Sequence, residues 1–91
     1  MKFEWDEAKR EANIRKHAID FVGVEEVFKG YTVTIEDGRI DYSEQRFITL
    51  GQMQGRVVVV IHTERGDSIR TISIRKATKY EQKFYFSEIP Y

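Results

Sequence analysis

Ninety-one residues are enough for one hydrophobic core and too few for two. A 41% hydrophobic content with twelve aromatic residues argues for a folded globule, and the lack of cysteine excludes a disulfide framework or a thiolate metal site. Fifteen basic side chains balance fifteen acidic ones, so any attraction for a polyanion has to come from a local cluster. Residues 1–60 carry nine Lys/Arg against eleven Asp/Glu, and residues 61–91 carry six against four. No apolar run approaches a membrane span, and the opening Met1-Lys2-Phe3-Glu4-Trp5-Asp6 has no apolar signal segment. A single domain over 1–91, cytoplasmic and with no membrane partner, is expected.

In chain order, Phe3-Glu4-Trp5 reads as a short strand. Asp6 caps a first helix, with Glu7 favourable to the helix dipole and Glu11 and Arg15 as an i,i+4 pair. Asp20 is expected to cap a second helix, stapled by Ile19 and Val24 and ended by Gly30, with a core stripe of Phe21, Val24, Val27 and Phe28. Residues 31–36 alternate as a strand until Asp37-Gly38 breaks them. Gln45 to Leu50 is the next strand, closed by a turn over residues 51–55, and the all-apolar Val57–Ile61 is the central one. Gly66-Asp67 turns the chain into a last strand, Ser68 to Lys76.

In that strand alternation puts Ile72 and Ile74 on a core face, and Thr71, Ser73 and Arg75 on an open, working face. Thr78 and Glu81 form a capping box for a C-terminal helix that carries Tyr80, Phe84 and Tyr85 and ends before Pro90. The order β-α-α-β-β-β-β-α predicts an α+β fold. Two N-terminal helices and a C-terminal helix would pack, mainly on one face, against a four-stranded antiparallel sheet with a short extra N-terminal strand.

The segments Phe3-Glu4-Trp5-Asp6-Glu7-Ala8-Lys9, Asn13-Ile14-Arg15-Lys16-His17, Phe21 with Val27-Phe28, and Asp41-Tyr42-Ser43-Glu44-Gln45-Arg46 share an order with Gly51, Gly55-Arg56, Thr63-Glu64-Arg65 and Ile72-Ser73-Ile74-Arg75-Lys76-Ala77. Together they resemble the BrnT toxin family across nearly the whole chain. The resemblance implies a RelE-like fold, ribonuclease activity that stops translation, and a partner antitoxin, BrnA, with a ribbon-helix-helix DNA-binding region. Two positions depart from the family pattern: Ala18 stands where glycine usually follows Lys-His, and Ile74 where alanine is usual between Ser73 and Arg75.

RNA cleavage without a metal or other cofactor needs the ribose 2′-hydroxyl to attack its own phosphate, a base, cations around the phosphorane and a proton for the leaving oxygen. The catalytic candidates are Arg75 and Arg65 for the phosphate, and His62 or Glu64 for proton transfer. Each has a plainer reading: surface ion pairs for the arginines and Glu64, a packed core position for His62, which alternation aligns with Val58 and Val60. Arg46, Arg70, Lys76, Lys16, His17 and Tyr85 are candidate RNA contacts. Against these stand pairing of Arg46 with Glu44, snorkelling of Arg70 and Lys76, a helix-dipole role for His17 and core packing of Tyr85.

Three functions from different classes follow: a translation-blocking endoribonuclease, a catalytically degenerate toxin fold that only binds an antitoxin, and a DNA-binding regulator. The last is disfavoured by the neutral charge and the lack of a recognition helix. Near its pI of about 6.7 the chain has little repulsion against forming a homodimer, and a toxin–antitoxin hetero-oligomer is the other expected assembly.

Overall fold

The structure is a computed structural model that describes residues 1–38 and 44–90. The motif residues Asp41, Tyr42 and Ser43 fall outside the described residues. The elements are β1 (Lys2–Trp5), α1 (Glu7–His17), α2 (Glu25–Lys29), β2 (Val33–Glu36), β3 (Phe47–Met53), β4 (Arg56–Arg65), β5 (Ser68–Lys76) and α3 (Lys79–Glu88). They build the expected α+β architecture, with one correction to the sheet. It has five strands in the order β1-β5-β4-β3-β2, and β1 joins β5 in parallel, so the sheet is mixed rather than antiparallel throughout. An edge strand's partner is a long-range choice that its own four residues do not encode.

β4, which carries the apolar run Val57–Ile61, is flanked on both sides as expected, by β3 and β5. The turn between β3 and β4 is tighter than expected. β3 runs on to Met53, and only Gln54 and Gly55 turn, both with positive φ (52° and 78°). That pair gives a two-residue hairpin whose twist matches the strands. Gly51, expected in the turn, lies inside β3, where a Cβ would meet Val27 Cγ1 at 2.6 Å.

The second N-terminal helix is only five residues long, with Val24 at its N-cap. The Asp20 carboxylate accepts from the Val22 N–H at 2.9 Å and so caps a preceding turn, while its two oxygens hold Arg10 at 2.7 and 3.0 Å. The expected stripe still works, since Phe21, Val24 and Val27 are fully buried.

Helices cover both faces of the sheet, a second correction to the expected one-sided packing. On the first face α2 and its leading turn pack on Met53, Val58, Val60 and Ile74. On the second face Tyr85 and Ala77 close over Leu50, Val57 and Val59. α1 contributes only one buried residue, Asn13. Its side-chain amide donates to the Ile74 carbonyl at 2.9 Å and its oxygen accepts the Ile74 N–H at 3.1 Å. β1 pairs with β5 only as far as Thr71, so Asn13 supplies the partner that the β5 edge otherwise lacks there.

A β-bulge between β4 and β5 changes the faces. Val60 pairs with Ile74 and Ile61 with Ser73, but His62 pairs with Thr71, leaving Ile72 as the extra residue. Thr71 therefore shares the face of Ile74 and is buried, whereas strict alternation grouped it with Ser73 and Arg75. Upstream of the bulge the parity inverts, and Arg70, opposite Thr63, turns to the Arg75 side.

Candidate active-site groove

The second face is only partly covered. α3 starts at Thr78, whose side chain accepts the Glu81 N–H at 3.2 Å, while the Glu81 carboxylate accepts the Thr78 N–H at 2.8 Å; the predicted capping box is present. Tyr85, 0% exposed, donates its phenol proton to the Tyr31 carbonyl at 2.8 Å and fixes the far side of the helix to the lead-in of β2. Between these anchors and the bare half of the sheet lies a groove of about 540 Å³. Ile48, Leu50, Ile61 and Ser73 form its sheet side, and Tyr80, Phe84 and Ile35 its rim.

Arg75 and Glu81 meet in this groove. Both Arg75 terminal nitrogens donate to the two Glu81 oxygens, each at 2.8 Å. Such a fork-to-fork arrangement is the geometry a phosphate would also take. The Arg75 guanidinium holds the Glu81 carboxyl down to about 2, well below the ordinary carboxylate range, despite the opposing effect of burial.

The other basic candidates are dispersed. Arg65 lies six positions along β4 from Val59, the cross-strand partner of Arg75, which places the two backbones about 20 Å apart at ~3.3 Å per residue. It pairs with Glu44 at 3.2 Å, and Arg70 pairs with Glu4 at 3.6 Å. Arg46 is half-buried just before β3, and its carbonyl accepts the Asp37 N–H at 2.8 Å. Lys76 ends β5 exposed, opposite Val58 and on the other face from Arg75. Lys16 is exposed and His17 half-buried in the last turn of α1, the helix that Asn13 ties to the β5 edge, and neither lines the groove.

His62 sits on the first face, 1% exposed, stacked on Phe47 and edge-on to Phe28. Its Nε2 is 2.7 Å from the Thr49 hydroxyl, and desolvation in this setting lowers its pKa to about 4. Glu64 follows on the same face by alternation, exposed and opposite Ile69. His62 and Glu64 are thus separated from Arg75 by the sheet. Tyr85, expected as a base-stacking candidate, is interior; the exposed aromatics of α3 are Tyr80, Phe84 and Phe86. Among the described residues no three His, Cys, Asp or Glu side chains are arranged to hold a metal ion, and no helix is long and apolar enough to cross a membrane.

Two contacts, one in the groove and one at the β5 edge, went unread in the sequence. Glu81 carried a helix-capping signal, but its second partner depends on the corner between β5 and α3. Asn13 showed only as the first residue of a family segment, with no sign of its partners in β5.

The small α+β domain thus sets an arginine fork in an open groove beside its last helix. Residues 5–81 match the family described as the ribonuclease toxin BrnT of type II toxin–antitoxin systems. That match covers most of the chain, including Arg75 and Glu81, and the chain belongs to the BrnT family. No curated protein matches it significantly.

Proposed function

We propose that this protein is a metal-independent endoribonuclease that blocks translation in the cytoplasm by cleaving RNA in the Arg75 groove, on a variant of the RelE-like fold. The observation that carries this reading is the Arg75–Glu81 pair, an arginine fork presented to a bidentate oxyanion within a groove. An RNA phosphate takes the place of Glu81 on the guanidinium. That exchange also frees the Glu81 carboxylate from the contact that holds its pKa low, so its basicity rises when substrate is bound. Glu81 then takes the 2′-hydroxyl proton as the 2′-oxygen attacks phosphorus in line. Arg75 neutralises the phosphorane, the bond to the 5′-oxygen breaks, and solvent reaching the open groove protonates the leaving oxygen. General-base help of this kind contributes about 10²–10⁴-fold in rate.

In this scheme Arg65 and Arg70 hold neighbouring parts of the strand rather than the reacting phosphate, and His62 keeps its structural place. Arg46, Lys76, Lys16 and His17 lie outside the reacting centre and contribute at most to general attraction of the RNA.

The partner is an antitoxin of the BrnA kind, with a ribbon-helix-helix region. It inhibits by laying an apolar residue on Ile48 and Ile61 and an acidic one near Arg75. Purified Arg75→Lys should retain the fold and lose most RNA cleavage, because lysine keeps the charge without the planar fork. Equal cleavage by the variant would remove Arg75 from the chemistry. A toxin-fold module that only binds its antitoxin would instead arrest growth neither as wild type nor as variant, while still co-purifying with the neighbour-encoded protein.

A further inference from the structure

The outer side of α3 carries a pattern that the groove chemistry leaves unused. Tyr80 is 85% exposed and Phe84 43%, and their i,i+4 spacing sets them in one row on the helix. Lys79 and Lys83, both exposed, form the adjacent row. The surface beneath them is continuous. The groove shares Tyr80 with a depression of about 270 Å³ that is otherwise lined by Lys79 and Lys83. The same two lysines continue into a second depression of about 480 Å³ with Gln82, Phe86 and Ser87. Neither outer depression has a carboxylate in its lining, and Glu81 on the same helix is turned into the Arg75 fork.

We propose that α3 carries a track for single-stranded RNA, in which bases stack on Tyr80 and Phe84 while Lys79 and Lys83 hold backbone phosphates, leading the strand into the Arg75 groove. The choice of RNA as occupant rests on the ribonuclease reading and on this chemistry. Aromatic faces beside a row of cations suit any unpaired base followed by its phosphate. A protein partner would be better served by the aliphatic surface, which stays within the groove at Ile35, Ile48 and Ile61. The track also explains how a molecule of zero net charge could retain a polyanion: the attraction is local and reinforced by stacking. Stacking on an aromatic side chain is worth about ten- to a hundred-fold in affinity per base.

The test uses the full chain and a non-cleavable 2′-O-methyl RNA octamer, so binding is read independently of cleavage. Fluorescence anisotropy at several salt concentrations compares wild type with Tyr80→Ala, Tyr80→Trp, Tyr80→Ala/Phe84→Ala and Lys79→Ala/Lys83→Ala, each checked for an unchanged melting profile. Tyr80→Ala should weaken binding about ten-fold or more while Tyr80→Trp preserves it, which a folding defect would not distinguish. The lysine pair should lower the salt dependence by about 1.4 in the log–log slope, at ~0.7 per phosphate. Wild type that binds through these residues yet cleaves no RNA would leave the track standing and remove the ribonuclease reading. The track is overturned if wild type does not bind the octamer, or if the alanine variants bind as wild type does. It is equally overturned if they keep RNA and lose the partner protein, an outcome that would assign the strip to the antitoxin.

Discussion

Arg75 and Glu81, six residues apart, join the last strand to the last helix through two parallel hydrogen bonds of 2.8 Å. One Glu81 oxygen simultaneously accepts the Thr78 N–H, so a single carboxylate caps α3 and occupies the arginine fork. Glu81→Gln separates these duties. The amide still caps but no longer competes as an anion. RNA should bind several-fold more tightly to the variant, while kcat falls by about 10²–10³-fold through loss of the base. Titration of non-cleavable RNA and single-turnover cleavage check the two effects, and a variant changed in stability alone would limit the pair to a structural role.

Asn13 satisfies both backbone groups of Ile74 and, at 2.9 Å, the Ile19 carbonyl. Asn13→Leu leaves these polar groups buried without a partner, and the expected loss is about 3 kcal/mol in urea unfolding. RNA affinity measured well below the unfolding midpoint should hardly change, since no residue of α1 lines the groove.

Acid should destabilise the fold in two windows. His62 is neutral in the native state with a pKa of about 4, against about 6.5 when unfolded. The unfolded chain therefore binds the extra proton between these values, and stability falls as pH drops from 6.5 towards 4, by at most about 3 kcal/mol. Glu81 acts lower: its folded value of about 2 means its contribution is complete above about 4.5 and lost as pH falls through 2. Its partner Arg75 is partly exposed, so solvent screening limits that second loss to about 1 kcal/mol. Urea melts at pH 7 and pH 4.5 should show a smaller difference in His62→Gln than in wild type.

Ala18 ends α1 in the left-handed region, φ 57° and ψ 31°, and donates its N–H to the Ile14 carbonyl at 2.8 Å. Glycine adopts this conformation without the Cβ penalty. Ala18→Gly should raise stability by about 0.5–1 kcal/mol, visible as a thermal midpoint a few degrees higher.

Much of the architecture was legible because local signals agreed with the tertiary outcome. The capping box at Thr78 and Glu81 and the Gly66-Asp67 turn each gave an element its type and nearly its limits, while the apolar run Val57–Ile61 gave β4 its type and about half its length. The face assignments failed at one residue. Ile72 enters a bulge, and a period of two read through it misplaces Thr71 and Arg70. Tyr85 and Phe84 are adjacent on a helix with similar propensities, and only packing against the Tyr31 carbonyl decides which is buried. At the site, Arg75 was identifiable from the basic hairpin. Its separation from His62 by the sheet and from Arg65 along it became visible only with strand register.

The central claim is that the Arg75 groove cleaves RNA by 2′-hydroxyl attack. The most direct measurement is mass analysis of the products from one RNA oligonucleotide and its analogue with a single 2′-deoxy sugar at the cleavage site, each incubated with the purified protein in EDTA. The account predicts 2′,3′-cyclic phosphate and 5′-hydroxyl ends from the RNA, undiminished by chelation, and no cut at the deoxy position. Cleavage at the deoxy sugar, or cleavage only after a divalent cation is restored, would contradict it.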